Sequence, residues 1–158
     1  MHSMNTCCFT GHRAIASEEL PVLIHRLEHT IAELIGQGVV SFACGGALGF
    51  DTMAALAVLK LRQKFMQIQL ILFLPHKGQA RGWSKKDSRT YAQILSKADK
   101  IIYTSEYYYA GCMHRRNRSL VEGSTVCVCY LNRAEGGTAY TVDFAKRRGL
   151  RIINLALA

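Results

Sequence analysis

Six short apolar runs alternate with amphipathic helical patterns along almost the whole chain, and no linker, low-complexity tract or internal repeat interrupts them. A strand that leads through a helix to the next strand makes a right-handed crossover, and repeated crossovers build a parallel sheet covered on both faces. Strands buried on both faces are continuously apolar, as in LILFL at 70–74. The pattern therefore predicts an α/β fold, a Rossmann-like three-layer domain with a mainly parallel sheet of about six strands. The predicted strands span 5–10, 39–44, 68–74, 99–104, 125–131 and 151–156.

Five helical patterns fill the intervals between these runs. In the first, apolar residues from Leu20 to Ile35 recur every three or four positions and form one apolar face. Ser17 is the predicted N-cap of this helix, and Gly36 or Gly38 is its predicted end. The other predicted helices span about 50–65, 84–98, 113–123 and 138–148.

The composition is that of one globular domain, so we expect residues 1–158 to form a single domain. With 158 residues and 49% hydrophobic content, the chain can bury a core without a metal or a disulfide. The six cysteines include no CxxC pair, and His25 and His29 have no evident third ligand, so neither a metal site nor a cofactor is predicted. No apolar run approaches about 20 residues, so we expect a cytoplasmic protein without membrane contact.

Glycines and basic residues collect just after the predicted strands, where Rossmann-like folds bind ligands. The segments 45-GGALGFD-51 and 132-NRAEGGT-138 each place glycines between a strand and a helix, and 10-TGHR-13 follows the first strand. Such loops let main-chain N–H groups and the helix dipole hold a phosphate, whereas their alternative role is a tight turn with close packing. Neither loop is a Walker or GxGxxG motif. The net charge of +9 also favours an anionic partner, although excess surface lysine serves solubility as well.

Several polar side chains at these strand ends have two interpretations each. His12 and Arg13 either contact a ligand phosphate or base, or form a solvated turn. Asp51 either caps the second helix or bonds a ribose hydroxyl. Helical spacing allows only one or two residues of the run RRNR to face the site. Arg116 with Asn117 is the candidate pair, and the alternative is that the run forms a plain basic surface turn.

A basic loop with one aromatic residue, Trp83, follows the third strand. It is interpreted as a lid over a nucleotide, as a stacking surface for single-stranded nucleic acid, or as a solvated loop. The tyrosine run at 107–109 has no assigned role. The cations of the basic loop are Lys77, Arg81, Lys85, Lys86 and Arg89.

The order TGHR, GGALGFD, RRN and GGT before a helix resembles the SLOG superfamily, and within it the bacterial YpsA-like group, over about residues 7–154. The resemblance implies a Rossmann-like domain that binds a nucleotide or nucleotide-derived ligand at the C-terminal edge of the sheet, and it suggests a homodimer. Two SLOG groups supply alternatives. The LOG-type phosphoribohydrolases cleave the base from nucleoside 5′-monophosphates, and DNA-processing protein A binds single-stranded DNA.

The LOG motifs are incomplete in this chain. The segment 113-MHRRN-117 is similar to the LOG motif MHERK and places Arg116 at its arginine, but 136-GGTAYTVD-143 departs from PGGxGTxxE and lacks its catalytic glutamate. Glycosidic cleavage normally uses a carboxylate. The candidate substitutes for the missing glutamate are Asp51, Glu135 and Asp143.

We therefore expect a sensor or regulatory module that binds a nucleotide-like small molecule. The first alternative is a phosphoribohydrolase-like enzyme with Arg116 and Asp51 as catalytic candidates, and the second is a binder of single-stranded nucleic acid. The candidate ligand-binding residues are Thr10, Gly11, His12, Arg13, Gly45, Gly46, Ala47, Asp51, Arg116, Asn117, Gly136, Gly137 and Thr138.

Overall fold

Six strands and five α-helices alternate in the predicted order in the computed structural model, which describes residues 6–156. Asn5, predicted to open the first strand, lies outside the described residues. None of the helices in the described part of the chain has the length and apolar character of a membrane span. The strands are β1 (Thr6–Gly11), β2 (Ser41–Cys44), β3 (Gln69–Leu74), β4 (Lys100–Tyr103), β5 (Val126–Tyr130) and β6 (Arg151–Asn154). The helices are α1 (Leu20–Gly36), α2 (Phe50–Arg62), α3 (Lys85–Lys97), α4 (Cys112–Glu122) and α5 (Gly137–Arg147).

The strands form one parallel sheet in the order β4-β3-β2-β1-β5-β6. The chain builds outward from β1 to β4, returns to the other side of β1 for β5, and then adds β6 at that edge. This reversal between β1 and β5 is a topological switch point, where open α/β sheets bind ligands beyond the carboxyl ends of their strands. The predicted Rossmann-like α/β fold is confirmed, and its topology puts the expected site between these two strands.

Two apolar clusters cover opposite faces of the sheet. Cys7 and Phe9 of β1 belong to the cluster that packs against α1 and α2, whereas Cys8 belongs to the cluster that packs against α4 and α5. This alternation follows from the two-residue period of a strand, which sends successive side chains to opposite faces. All six cysteines are buried and form no disulfide, so they fill interior space as small apolar residues.

The start of α1 differs from the prediction. Ser17 begins a short 3₁₀ turn that ends at Glu19, and Glu19 occupies the N-cap position of α1. The prediction that Ser17 caps this helix is wrong. Pro21 lies in the first turn of α1, where its missing N–H costs no helical hydrogen bond, so the α-helix begins downstream of Ser17. Gly36, one of the two predicted ends, is the last residue of the helix.

Candidate functional site

A cleft of about 360 Å³ opens at the carboxyl ends of β1 and β5, at the switch point of the sheet. Its walls come from the end of β1, the loops that follow β1 and β5, the loop before α2 with its first turn, one face of α4 and the start of α5. A larger groove of about 490 Å³ lies between α2 and α3, away from the strand ends. Ten of the thirteen residues predicted from the sequence line the cleft. They are Thr10, Gly11, His12, Arg13, Ala47, Asp51, Arg116, Asn117, Gly137 and Thr138.

Three of the predicted residues, Gly45, Gly46 and Gly136, do not line the cleft. Gly45 and Gly46 are buried, and a Cβ atom on Gly45 would lie 2.8 Å from Nη1 of Arg116. A Cβ atom on Gly46 would lie 2.6 Å from Cδ2 of Leu74. These two glycines therefore allow the β2–α2 loop to pack closely against its neighbours, which is the alternative role that the sequence left open.

Glycine packing also joins the end of β1 to the start of α2. A Cβ atom on Gly11 would overlap the ring of Phe50, and a Cβ atom on Gly49 would overlap the main-chain carbonyl of Arg13. Gly49 has a φ of +79°, which residues with a side chain rarely adopt. In addition, the N–H of Phe50 donates to the carbonyl oxygen of His12 at 3.1 Å. These contacts fix the TGHR segment against the first turn of α2.

Asp51 lies in the first turn of α2, and only 7% of its surface is exposed. Its Oδ2 accepts a hydrogen bond from the N–H of Ala47 at 3.2 Å, so the carboxylate holds the loop that precedes its own helix. Burial raises the pKa of Asp51 to about 6, against the opposing effects of Arg116, the Ala47 hydrogen bond and Arg13. The prediction that Asp51 caps the second helix is wrong, because the N-cap of α2 is Gly49 and no side chain caps it. Asp51 instead holds the preceding loop, and because it lines the cleft, its contact with a ribose hydroxyl stays a prediction.

Arg116 projects from α4 and is only 4% exposed. Its Nη1 donates to the carbonyl oxygen of Gly45 and lies 3.4 Å from Oε1 of Gln79. Its Nε donates to Oδ1 of Asn117 at 2.7 Å. Burial lowers the pKa of Arg116, whereas the nearby Asp51 acts in the opposite direction. The guanidinium group is thus a fixed positive charge whose orientation is set by the protein.

Gln79 reaches this arrangement from the loop after β3, and the sequence analysis missed it. The side chain is only 6% exposed, and its Nε2 donates to the hydroxyl of Tyr91 at 3.2 Å. The same nitrogen lies 3.5 Å from the carbonyl oxygen of Gly45. A glutamine within a polar loop has no sequence signature that separates a buried hydrogen-bonding role from a solvated one.

His12 connects the end of β1 to the residues that follow β5. The N–H of Asn132 donates to Nε2 of His12 at 3.1 Å, and Nη2 of Arg133 lies 3.1 Å from Nδ1. Burial lowers the pKa of His12, and the charge of Arg133 lowers it further, so the imidazole is mainly neutral at pH 7. The sequence alternatives for His12 did not include this bridging role. Arg133, which the sequence analysis did not select, adds a cation to the lining of the cleft.

The start of α5 forms another wall of the cleft. Gly136 precedes the helix with a φ of +100°, and Gly137 and Thr138 line the cleft. The first N–H groups of a helix have no partner within it, and they carry the positive end of the helix dipole. Apart from the chain neighbours of Gly137 and the backbone of its own helix, no atom of residues 6–156 lies within 4 Å of its Cβ position, so an anion can approach these donors closely.

The cleft carries a positive balance because three arginines and one carboxylate, Asp51, line it. The other two carboxylates considered from the sequence, Glu135 and Asp143, do not line it, and Asp143 pairs with Arg147 at 3.1 Å on the exposed side of α5. Within residues 6–156, no three His, Cys, Asp or Glu side chains cluster as a metal site requires. The cleft therefore suits an anion that also carries neutral polar groups.

Comparison with known sequences gives consistent matches over most of the chain. The profile of the YspA SLOG family (YpsA) matches residues 7–152. A UPF0398 protein of Halalkalibacterium halodurans is 30% identical, over 92% of this chain and 82% of its own length. A UPF0398 protein of Bacillus thuringiensis (strain Al Hakam) is 25% identical, over 78% of this chain and 68% of its own length.

Two solved structures share the fold. DNA processing protein A from Helicobacter pylori, whose structure was studied for its single-stranded DNA binding mode, matches with a TM-score of 0.70 and 18% identity over 96% of this chain. The protein of the same name from Streptococcus pneumoniae matches with a TM-score of 0.65 and 17% identity over 94% of this chain. This chain covers 65% of the first structure and 49% of the second.

Proposed function

The chain belongs to the YspA SLOG family, and we propose that its cleft binds a phosphate-bearing nucleotide or nucleotide derivative, as a sensor or regulatory module. The observation that carries the proposal is the convergence of three arginines and the start of α5 on one cleft at the switch point of the sheet. Switch points and helix N-termini are where α/β proteins hold nucleotide phosphates.

The phosphate end of the ligand is assigned to the start of α5. Its oxygens accept hydrogen bonds from main-chain N–H groups near Gly137 and Thr138, as phosphates do at other helix N-termini. Arg13 and Arg133, whose side chains are exposed, swing onto the phosphate and add charge-assisted hydrogen bonds. Arg116 is too deeply buried to move onto a bound ligand, so it contributes a positive electrostatic potential from a fixed position.

The sugar and base are assigned to Asp51 and Asn117. One carboxylate oxygen of Asp51 is bonded to Ala47, and the carboxylate retains capacity to accept a ribose hydroxyl. Oδ1 of Asn117 accepts from Arg116, which leaves the amide nitrogen to donate to a base or sugar oxygen. Two polar side chains held by their neighbours in this way give the cleft specificity for more than phosphate alone.

Binding has more support than turnover. Among the described residues that line the cleft, Asp51 is the one carboxylate, and it already accepts the Ala47 hydrogen bond. N-glycosidic hydrolysis uses a carboxylate to stabilise the developing cation or to activate water. The phosphoribohydrolase alternative therefore depends on Asp51, and its direct readout is the release of free base.

Native mass spectrometry with a panel of nucleoside monophosphates, ADP-ribose and cyclic nucleotides tests the proposal. We expect a complex with one intact nucleotide and no new product. Gly137→Val fills the open space at the start of α5 and abolishes the complex, whereas Gly36→Val, at an equally open position at the end of α1, retains it. A complex that survives in Gly137→Val would overturn the site. Free base that appears with the wild type and is lost in Asp51→Ala would instead establish turnover.

The structural likeness to DNA processing protein A supports a second candidate, the binding of single-stranded nucleic acid. The solved protein from Helicobacter pylori is described as binding single-stranded DNA, and it shares the fold of almost this entire chain. The net charge of +9 is consistent with a polyanionic partner. Binding of this kind weakens steeply as salt concentration rises, because each phosphate contact releases counterions.

A further inference from the structure

We propose that a groove between the loops after β3 and β4 is the surface that binds single-stranded nucleic acid. This inference rests on the second candidate function and gives it a location. The groove has a volume of about 540 Å³ and is lined by basic and aromatic side chains. Because all strands are parallel, it opens at the same carboxyl edge of the sheet as the cleft.

Two tyrosines provide flat apolar surface in the groove. Tyr107 is 75% exposed and Tyr108 is 67% exposed, although aromatic side chains of this size are usually packed. Tyr108 is supported by His76, whose ring meets it edge-on at a centroid distance of 5.6 Å. The segment is also held locally, because the hydroxyl of Ser105 donates to the carbonyl oxygen of Tyr107 at 2.8 Å. Exposed rings on a supported segment are suited to stacking against unpaired bases.

Basic side chains line the groove beside the two tyrosine rings. Lys77 and Arg81 line the groove, and Glu106 is the one carboxylate among its described lining residues. Nζ of Lys77 lies 5.6 Å from the centroid of the Tyr103 ring, so a ring at the end of β4, outside the groove lining, holds this cation in place. The basic surface continues beyond the groove, because the first turns of α3 expose Lys85, Lys86 and Arg89.

Trp83 is not the exposed aromatic platform of this surface. Its ring is half-buried and packs edge-on against Tyr91, at a centroid distance of 5.1 Å. Tyr91 in turn accepts a hydrogen bond from Gln79, which contacts Arg116 of the cleft. The basic loop is therefore anchored by its tryptophan, and the tyrosine run, which had no assigned role from the sequence, supplies the stacking surface.

Exposed tyrosine rings beside basic side chains favour the binding of a single strand over that of a duplex. Bases stacked within a duplex do not present free faces to tyrosine, whereas the unpaired bases of a single strand do. The phosphates between those bases pair with Lys77 and Arg81. Since every base has a flat face, the groove takes DNA or RNA strands with little sequence preference.

Fluorescence anisotropy with labelled oligo-dT, oligo-U and a DNA duplex of equal length tests the location. We expect the two single strands to bind and the duplex to bind more weakly. Tyr107→Ala and Tyr108→Ala should each weaken oligo-dT binding about tenfold. Tyr109→Ala is the matched control, because Tyr109 is 41% exposed in the same run and does not line the groove. Lys77→Gln and Arg81→Gln should each make the slope of log K for association against log salt less negative by about 0.7.

The outcomes distinguish nucleic-acid binding itself from its assignment to the groove. If the wild type binds none of the strands at low salt, the second candidate function fails. If it binds oligo-dT and both groove tyrosine variants bind equally well, nucleic-acid binding stands but its assignment to the groove is overturned. Duplex binding as tight as single-strand binding would overturn the stacking mechanism. None of these measurements tests the nucleotide proposal for the cleft, because that proposal is probed with small nucleotides and ADP-ribose and not with oligonucleotide strands.

Discussion

Arg116 donates a hydrogen bond to the main-chain carbonyl of Gly45, which precedes it by 71 positions in the chain. The same guanidinium group contacts Gln79 in the loop after β3 and Asn117 in its own helix. One buried cation thus connects α4 to the loops that follow β2 and β3. Since these loops are held before any ligand binds, the cleft loses little conformational freedom on binding.

Replacing Arg116 with lysine should lower both stability and ligand affinity. A lysine ammonium cannot reproduce the planar fork of donors, so the carbonyl of Gly45 or the amide of Gln79 loses its partner. An unsatisfied buried acceptor costs about 1–3 kcal/mol of unfolding free energy, which urea titration measures. Arg115→Lys, at the exposed neighbouring position, is the control and should change stability by less than about 0.5 kcal/mol. Equal stability of the two variants would contradict the connecting role.

Wild-type stability should fall relative to Asp51→Asn as pH rises from about 4 to about 6. Burial raises the folded-state pKa of Asp51 from 3.8 to about 6, so over this interval the folded state binds the proton more tightly than the unfolded state. The free energy of unfolding should therefore fall by at most about 1.4 kcal/mol per pH unit, and this decrease should level off above pH 6. Urea titrations of both proteins across this range measure the difference.

The control for this pH effect is Asp143→Asn, which neutralises an exposed carboxylate on α5. The stability difference between that variant and the wild type should not fall along the same curve. A wild type that gains stability relative to Asp51→Asn between pH 4 and 6 would show that the Arg116 and Ala47 interactions outweigh the burial of the carboxylate.

The fold and the position of the cleft could be predicted because both depend on short-range patterns. Runs such as 70–74 and the helical spacing from Leu20 to Ile35 fix the alternation of strands and helices. Parallel strands then carry the residues that follow them to a common edge. The segments at 10–13 and 137–138 therefore meet at one cleft although more than a hundred residues separate them.

The partners of individual side chains could not be predicted in the same way. Gly45 and Gly46 have the local pattern of a phosphate loop, but the space beside them is filled by Arg116 and Leu74. Only the tertiary structure decides whether a ligand or a distant side chain occupies such a space. Gln79 was missed for the same reason, because its role depends on partners from three other segments.

Replacing Arg133 with glutamine should raise the pKa of His12. Burial is the larger cause of the lowered pKa of His12, and the charge of Arg133, 3.1 Å away, is the second. Removing that charge should therefore move the pKa part of the way back toward its ordinary value. NMR titration of the His12 ring measures it, with Arg81→Gln in the distant groove as the control. An unchanged His12 titration in Arg133→Gln would show that the arginine is screened by solvent.

The lowered pKa of His12 should change stability with pH in the direction opposite to that expected for Asp51. Folding disfavours the imidazolium form of His12, so the protein should lose stability as pH falls below the ordinary histidine value of 6.5. Arg133→Gln should reduce that loss. Urea titrations between pH 5 and 7 on an Asp51→Asn background separate this effect from the titration of the carboxylate.

Gly49→Ala should destabilise the protein and abolish nucleotide binding together. Gly49 has a φ of +79°, and its added methyl group would overlap the main-chain carbonyl of Arg13, which cannot rotate away as a side chain could. Backbone strain of this kind costs about 1–3 kcal/mol, and its relief displaces the TGHR segment from the cleft. Gly36→Ala is the control, because its Cβ position is open and helical, and it should stabilise the protein by about 0.5–1 kcal/mol. A Gly49→Ala protein that unfolds at the wild-type urea concentration and still binds its nucleotide would mean that β1 and α2 are not rigidly joined at this point.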